Sequence, residues 1–276
     1  MTVHILIPVF NRLALTTSIL RCVRAQRLDE PIRTVVIDDG STDGTREYLA
    51  EQHDITVLNG DGTLWWGGAI QLGLNHVLRI ASDCDWIAFL NNDTTIADDF
   101  IARLIDTARK NMPAAVGSVV RNISPPHQLL SLGPEIDPWR LRTNDRLDAH
   151  RLPIPNDWEE IDALSGRGVV YPVPSLKTPD GRADRLLPHY LADYELSLRV
   201  RQRGYRLIVD HRASVMSGND FPASRHEPSF RKRYFALNSP TYLPAVIAYW
   251  WQASNPWQRV TLPFRVLYFL VFPGAR

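Results

Sequence analysis

Cysteine is scarce in this sequence, with only Cys22 and Cys84 among 276 residues. They form no CxxC pair and lie at no spacing typical of metal ligands, so neither a disulfide framework nor a zinc site is indicated. A reducing compartment such as the cytoplasm is therefore expected. The amino-terminal stretch MTVHILIPVFNR has no basic leader, and its apolar run has the length of a strand, so no export is expected.

A charge excess is also missing, because 31 basic and 30 acidic residues leave a net charge of +1 at pH 7. Binding to nucleic acid is therefore not expected. Neither GxGxxG nor GxxxxGK[ST] occurs, so a dinucleotide fold and a P-loop are both unsupported. No uninterrupted apolar run approaches the roughly 20 residues that span a bilayer. The 45% apolar and 22% charged residues are ordinary for a globular protein with a substantial core.

Short apolar runs alternate with stretches of helical periodicity through the first 120 residues. Strands are predicted at 4–9, 32–37, 55–58, 86–90 and 114–120. Alternating strands and helices predict a mostly parallel sheet covered on both faces. The predicted fold class is α/β, with a nucleotide-binding half over about residues 1–120.

Polar residues follow the strand that begins at Trp86. Asn91, Asn92 and Asp93 end the apolar run abruptly. Ligands bind beyond the carboxyl ends of strands in open α/β sheets, so Asp93 is well placed to hold a metal or a phosphate-bound metal. An ordinary turn would have the same composition, because Asn and Asp favour turns.

Two adjacent carboxylates, Asp38 and Asp39, end the second predicted strand and precede Gly40. Capping of the next helix does not explain why like charges stand together, which favours a ligand role for at least one of them.

Two tryptophans, Trp65 and Trp66, lie between glycines, with Gly67 and Gly68 directly after them. This pattern indicates either a backbone that approaches a ligand beside a flat apolar wall, or a turn with two core aromatics. A helix is expected from about Ala69 to Ala81.

The second half of the chain begins with an irregular, proline-rich segment at 121–158, which is predicted to be a lid over the acceptor site. A strand is predicted at 166–173, a helix at 191–203 and a strand at 205–210. Asp193 and Glu195 lie in the first turn of that helix and point about 200° apart, so only one can face a shared site. Both acids could instead complement the helix dipole, which would lower their pKa values.

The last fifty residues combine a basic cluster with many aromatic and aliphatic side chains. Domain boundaries are predicted at 1–220, with an acceptor-binding half at 121–220, and at 221–276 for a helical tail. The tail is predicted to lie on an anionic membrane surface, to contact a second subunit as in a homodimer, or to pack against its own domain. The basic and aromatic residues are Arg225, Arg231, Lys232, Arg233, Tyr249, Trp250, Trp251, Trp257, Phe264, Tyr268, Phe269 and Phe272.

Four segments in this order resemble the family 2 glycosyltransferases, which have a GT-A type fold and mostly build bacterial O-antigens, capsules and related polysaccharides. The segments are IPVFNR at 7–12, VIDDGSTDGT at 36–45, FLNNDTTI at 89–96 and DYELSLRVRQRGYR at 193–206. A further stretch, GDGTLWWGGAIQLG, is similar to one found in rhamnosyltransferase-like members. The resemblance covers roughly residues 3–210.

The resemblance implies that one set of residues binds the nucleotide-sugar donor. Asp39 would contact the base, with Asp38 and Gly40 beside it. The other donor-binding residues would be Pro8, Val9, Phe10, Asn11, Arg12, Trp65, Trp66, Gly67, Gly68, Asn91 and Asn92.

The resemblance also implies how transfer proceeds. Asp93 and Asn91 fall on the outer positions of the family's DXD motif and would hold Mg²⁺ or Mn²⁺ against the sugar diphosphate. Asp193 falls on the catalytic base, with Glu195 as a supporting acid. The implied activity is inverting, metal-dependent transfer of a sugar from a dTDP-, UDP- or GDP-sugar to a saccharide or lipid-linked acceptor, on the cytoplasmic face of the membrane.

Two other functions stay open from the sequence. A sugar nucleotidyltransferase would need a basic phosphate loop, whereas residues 8–20 offer only Arg12. A non-catalytic scaffold that binds a nucleotide sugar is left open because Ala192 and Ser217 stand where many family members have Glu and His.

Overall fold

A computed structural model describes residues 1–145, 157–177, 186–218, 229–237 and 239–271. Several predicted features lie outside these ranges, namely Pro153 and Pro155 of the lid, Arg225 of the basic cluster, the 220/221 domain boundary and Phe272. Within the described residues, the elements are β1 (Val3–Val9), α1 (Leu13–Arg24), β2 (Ile32–Asp38), α2 (Thr45–Ala50), β3 (Ile55–Asn59), α3 (Trp65–Val77), β4 (Trp86–Phe89), β5 (Thr94–Ile96), α4 (Phe100–Lys110), β6 (Ala114–Asn122), β7 (Leu129–Ser131), β8 (Pro134–Asp137), β9 (Arg142–Asp145), β10 (Trp158–Glu160), β11 (Val169–Pro172), α5 (Val173–Leu176), α6 (Ala192–Gln202), β12 (Arg206–Ser217), α7 (Phe230–Phe235), α8 (Leu243–Ala253) and α9 (Pro256–Val271).

The central sheet has the strand order β10-β12-β6-β11-β4-β1-β2-β3. β3, β2, β1 and β4 are parallel, and so are β6 and β12. This confirms the predicted α/β fold with a mostly parallel sheet. β11 differs, because it pairs antiparallel with both β4 and β6. No helix precedes β11 after β10, so the alternation that predicts parallel strands has already stopped there.

Both faces of the sheet are covered, as the side-chain alternation along β1 requires. Val3, Ile5 and Ile7 join one core with α1, α2 and α4, whereas Leu6 joins the opposite core with α3 and α6. Successive side chains of a strand point to opposite faces, and a strand buried on both faces is therefore apolar throughout.

The carboxyl-terminal helices α8 and α9 form a third core against α6. Tyr249 and Trp250 of α8 are buried with Ala192 of α6, which confirms the predicted helical tail. Gln202 and Gln252 exchange hydrogen bonds between α6 and α8, with Gln252 donating to Gln202 Oε1 at 2.7 Å. None of the helices in the described ranges is long and apolar enough to cross a bilayer.

Three of the differences from the predicted elements involve contacts between residues distant in the sequence. α3 begins at Trp65 rather than Ala69, since Asp39 accepts the Trp65 backbone N–H. β12 continues beyond Asp210 to Ser217 through a bulge, since Thr107 and Arg212 pair with the buried Asp210 carboxylate. Part of the segment predicted to be irregular forms strands, with β7 on the edge of β6 and β8 paired to β9.

Asp85 fixes the start of β4 against the start of β1. Its carboxylate accepts the backbone N–H groups of Thr2 at 2.8 Å and Ser82 at 2.9 Å, and it faces the buried His4 ring at 3.5 Å. Burial alone would raise the pKa of Asp85, but these hydrogen bonds outweigh it and lower the pKa to about 2. The Val3–Trp86 register starts from this contact.

Asp85→Asn is expected to lower the free energy of unfolding by about 2 kcal/mol at pH 7, because the folded pKa lies well below the ordinary Asp value. The contribution of Asp85 to the free energy of unfolding is present above about pH 4 and is lost as the pH falls toward about 2. Chemical denaturation from neutral to acid pH measures both effects.

Asp83→Asn is the matched control, because Asp83 lies exposed in an ion pair with Lys177. It is expected to change stability by less than about 1 kcal/mol. Equal losses in the two variants would show that Asp85 does not anchor the two strands.

Candidate functional site

The loop after β1 crosses to the loop after β2. Asn11 and Arg12 both adopt left-handed backbone conformations, with φ of 57° and 66°. The Asn11 N–H donates to Ser41 Oγ at 2.7 Å, and its side-chain oxygen accepts the Thr42 N–H at 2.8 Å. Pro8 and Val9 end β1 beneath this loop, while Phe10 is exposed. These bonds hold an open aromatic side chain at the edge of the sheet.

Asp38 and Asp39 have separate hydrogen-bond partners, although they are adjacent in sequence and both buried. Asp38 accepts the Ser41 N–H at 3.0 Å and pairs with Arg46 at 3.1 Å. Asp39 accepts the Gly62 N–H at 2.9 Å and the Trp65 N–H at 3.0 Å. The two carboxylates thus hold the loops that surround them.

The two glycine-rich loops beside Asp39 come into close contact. Gly40 has a φ of 81°, and a Cβ there would lie 3.0 Å from the Gly62 nitrogen. The left-handed backbone and the close approach both favour glycine at position 40.

The first turn of α3 carries the predicted pair of tryptophans and glycines. Trp65 is exposed, whereas Trp66 is partly buried and packs edge-on against Phe89. The Gly67 N–H donates to the Pro188 carbonyl at 2.8 Å, and a Cβ at Gly67 would lie 2.4 Å from the Leu187 carbonyl oxygen. Gly67 therefore lets α3 pack against the backbone that leads into α6, whereas a Cβ at Gly68 would meet the Leu64 side chain at 3.2 Å.

Trp66 also reaches the end of β4. Its indole N–H donates to Asn91 Oδ1 at 2.9 Å. An indole nitrogen can only donate, so this contact fixes the Asn91 amide with its oxygen toward Trp66 and its NH₂ on the other branch. Asn91 keeps one oxygen lone pair for a second contact and gains an oriented donor.

Asn92 is buried in the loop and holds two elements together. Its side-chain NH₂ lies 3.3 Å from Thr16 Oγ1 and 3.5 Å from the Asn11 carbonyl. Asn92 thus supports the loop after β1 from beneath Asn11.

Asp93 has one paired and one unpaired carboxylate oxygen. Oδ2 lies 3.3 Å from the Arg12 guanidinium, whereas Oδ1 is buried without a hydrogen-bond partner within the described residues. β5 follows at once and pairs Thr94 with Ser217 of β12, so Ser217 lies near this carboxylate.

A divalent cation would suit this arrangement. No cluster of three or more His, Cys, Asp or Glu side chains suited to a metal occurs in the described part of the chain. Mg²⁺ typically uses one or two carboxylates with substrate phosphates and water, so the unpaired oxygen of Asp93 is an adequate protein ligand. The oxygen of Asn91 offers a weaker second one.

Asp193 lies partly buried at the start of α6. Its carboxylate accepts the Gly166 N–H at 2.9 Å and the Tyr194 N–H at 3.0 Å. Burial raises the pKa of Asp193 above its ordinary value, outweighing both hydrogen bonds and the nearby Arg167 charge. A carboxylate of raised pKa is a stronger proton acceptor.

Glu195 lies on a different side of α6, as the helical spacing predicts. It is buried and forms an ion pair with Arg199 one turn along the helix. Asp193 and Glu195 therefore contact different groups in this structure.

Gly166 joins the Asp193 contact to Trp66. A Cβ at Gly166 would lie 2.2 Å from Cζ2 of the Trp66 indole, so only glycine allows this packing. One indole thus contacts Asn91 through its N–H and Gly166 through its ring. The end of β4 and the start of α6 are connected in this way.

Two aromatic residues near the site, His189 and Tyr190, were not predicted from the sequence. The ring of His189 lies 5.5 Å from the exposed Trp65 ring and 4.5 Å from Tyr190. Burial lowers the pKa of His189, and its Nδ1 has no hydrogen-bond partner within the described ranges. A lone His in an irregular segment gives no periodic signal, and only its position before Asp193 could have drawn attention.

A shallow cleft lies elsewhere, between α4 and β12. Its charged side chains are paired with one another or with neighbours, as Arg212 is with Asp157 at 3.2 Å. None of the predicted site residues lines it. The lining residues are Thr107, Lys110, Asn111, Asp157, Trp158 and Arg212.

Comparison with known protein families identifies the family of this chain. The model of the family described as "Glycosyl transferase family 2" matches residues 4–157. The chain belongs to glycosyl transferase family 2. The match includes the loops after β1, β2 and β4 of the family 2 domain, and it confirms the resemblance seen in the sequence motifs. No curated protein matches the chain at a significant level.

Solved structures confirm the GT-A fold of the family 2 domain. A structure of GalNAc-T7 with UDP, GalNAc and Mn²⁺ is 14% identical, with a TM-score of 0.62, and the alignment covers 79% of this chain and 44% of that one. Residues 1–349 of TarS of S. aureus in complex with UDP-GlcNAc are 16% identical, with a TM-score of 0.53 and coverages of 76% and 56%. The chain thus spans less than two thirds of either relative.

The contact between Trp66 and Asn91 can be measured as a coupling energy. A double-mutant cycle of Trp66→Phe and Asn91→Ala is expected to give about 1 kcal/mol in the free energy of unfolding, since the cycle isolates one partly buried hydrogen bond. Chemical denaturation of the four proteins measures it.

Trp86→Phe combined with Asn91→Ala is the matched control cycle. Trp86 is buried, and its indole N–H has no partner within the described residues. Its coupling to Asn91 is expected to be near zero. Similar coupling in both cycles would mean that the indole N–H of Trp66 does not orient Asn91.

Proposed function

We propose that the protein is an inverting, metal-dependent glycosyltransferase. It moves a sugar from a nucleotide-sugar donor to the hydroxyl of a saccharide or lipid-linked acceptor, in the synthesis of a bacterial surface polysaccharide. The observation that carries this proposal is the Trp66 indole, which contacts Asn91 on the donor side and Gly166, the partner of Asp193, on the other.

Asp193 would serve as the general base. Inversion requires that the acceptor oxygen attack the anomeric carbon as its proton passes to a carboxylate, while the bond from that carbon to the diphosphate oxygen breaks. Burial raises the pKa of Asp193, which strengthens the carboxylate as a proton acceptor. The Gly166 and Tyr194 N–H groups still hold it in one orientation.

The departing diphosphate would lie at the Asp93 end of β4. Arg12 and the NH₂ of Asn91 offer positive and neutral donors there. A divalent cation held by Asp93, with Asn91 as the second candidate ligand, would neutralise charge on the leaving phosphates. Asp93 supports this role because one of its oxygens is buried and unpaired within the described residues.

The donor would enter over the loops after β1 and β2. The exposed ring of Phe10 and the tilted pair of Trp65 and His189 provide flat apolar surfaces suited to a base and a sugar face. GalNAc-T7 and TarS were solved with UDP or a UDP-sugar, which supports a UDP-sugar as the first donor to test. The sequence resemblance to rhamnosyltransferases supports dTDP-sugars as the second.

A thermal-shift panel tests donor and metal together. UDP, dTDP, GDP and CMP sugars are each measured with Mg²⁺, Mn²⁺ or a chelator. Ligand at about a hundredfold its dissociation constant adds roughly 2.7 kcal/mol, or several degrees in this chain. We expect one nucleotide to stabilise the protein with metal, and Asp93→Ala to remove the metal-dependent part.

Asp98→Ala is the control for that panel, because Asp98 forms only an exposed ion pair with Arg27. It is expected to behave like the original protein. Metal-dependent stabilisation that survives Asp93→Ala would contradict the metal role of Asp93, and a flat panel would contradict binding of these nucleotide sugars by the protein alone.

Asp193→Asn is expected to reduce transfer by about 10²–10⁴-fold while donor binding stays unchanged, since the amide accepts no proton from the acceptor and keeps one of the two backbone hydrogen bonds. In the original protein, kcat/KM should fall as the pH drops through the raised pKa of Asp193, because the protonated acid accepts no proton. The acid limb should therefore lie above the ordinary Asp range.

Steady-state kinetics across pH with isothermal donor titration separates the two effects. Glu195→Gln serves as the comparison, because Glu195 pairs with Arg199 in the interior and is expected to affect stability as well as rate. If Asp193→Asn still turns over substrate and the acid limb of its kcat/KM profile is unchanged, Asp193 is not the general base.

A further inference from the structure

Helix α9 exposes a continuous apolar face, which we call the outer face. Trp257 is 81% exposed, Phe264 75% and Val260 70%, and Leu267 and Tyr268 extend the same stripe. These residues are spaced three or four apart along the helix, so they lie on one side of it. The outer face is therefore a single surface rather than scattered side chains.

The opposite side of α9 is buried, so the helix lacks an ordinary polar face. Leu262 and Val266 pack into the third core, and Gln258 is buried beside them. A helix of a globular protein normally has one apolar stripe and one polar side. Exposed apolar patches of this kind mark sites that bind a partner or a membrane.

The charged residues of the tail after Glu227 have one sign. All acidic residues of the sequence lie at or before Glu227, whereas Arg231, Lys232, Arg233 and Arg259 follow it. In the described part of the tail, none of these four cations pairs with a carboxylate. The tail is thus basic and aromatic on a chain of nearly balanced charge.

Arg259 joins the start of α9 to α8, and it points about 200° away from Trp257. Its guanidinium donates to the Trp251 carbonyl at 2.9 Å and lies 5.4 Å from the centre of the exposed Trp251 ring. Exposed aromatic rings on a tail that also carries cations are the pattern of a surface that inserts rings among lipid head groups while cations contact the phosphates.

We propose that the outer face of α9, with the cations of α7, binds the surface of an anionic lipid bilayer. Trp257, Val260 and Phe264 would enter the boundary between head groups and acyl chains. Arg231 and Lys232 would contact anionic phosphates. A second copy fits less well, because a symmetric contact between two tails would set cations against cations with no acidic residue of the tail to pair them.

Membrane binding would also place α6 close to the bilayer. The core that supports α9 includes Ala192, the residue before Asp193, and Gln252 of α8 bonds to Gln202 of α6. The tail and the helix of the candidate base therefore share one support. If the acceptor is lipid-linked, a point that rests on the proposed function, its head group would be presented on the side of α6.

Vesicle co-sedimentation of the full chain tests the proposal. The probes are vesicles of phosphatidylcholine alone and of phosphatidylcholine with phosphatidylglycerol. We expect binding to the anionic vesicles at least about tenfold stronger than to the neutral ones, and weaker at high salt. The double variant W257E/F264E should lose about tenfold or more in binding, and R231S/K232S should lose the preference for anionic lipid.

Ile80→Glu is the matched control, because Ile80 is a large exposed apolar residue outside the tail. It should bind vesicles like the original protein. Circular dichroism confirms folding, and light scattering measures mass. Equal binding to both vesicle types, or binding unaffected by W257E/F264E, would overturn the proposal. A dimer that dissociates in W257E/F264E would also overturn it and assign the face to self-association. None of these outcomes depends on whether the protein transfers a sugar.

Discussion

The register between β1 and β4 decides which residues can meet at the candidate site. It starts where Asp85 accepts the Thr2 N–H and pairs Val3 with Trp86, at the far end of the sheet. A slip of one residue would turn every side chain of a strand to the opposite face. With this register kept, β4 ends opposite Leu6 while β1 continues to Val9, and Arg12 comes within 3.3 Å of Asp93. A buried carboxylate outside the site thus determines the geometry within it.

Trp66 connects the end of β4, on the proposed donor side, to Asp193, the candidate base. Asn91 accepts its indole N–H, and the ring fills the space that Gly166 leaves open. The Gly166 N–H in turn holds Asp193. Because the ring is rigid, a displacement at Asn91 would be passed to Asp193 by packing as well as by hydrogen bonds. The proposed donor side and the candidate base are therefore physically connected through one side chain.

Much of this arrangement could be predicted from local sequence, and the remainder depends on distant contacts. Apolar runs ending in Asp38 or Asn91 predict strands and the sheet edge that they share. The start of α3 at Trp65 could not be predicted, because its N–H is capped by Asp39, 26 residues earlier. The position of His189 beside Trp65 likewise depends on how the segment before α6 folds back, which no periodicity encodes. Local sequence patterns predict which helices and strands form, whereas contacts between distant side chains determine where some of them begin.

The pKa of Asp193 shows why magnitudes are needed where sequence rules conflict. A position in the first turn of α6 and two backbone N–H donors both favour the carboxylate, and each would lower the pKa. Burial opposes them and is the larger effect, so the pKa rises. An acceptor that covers the site would remove further water and raise it again. The same carboxylate is therefore held in position by N–H groups and made more basic by the loss of solvent, a combination that neither the helix dipole nor burial would give alone.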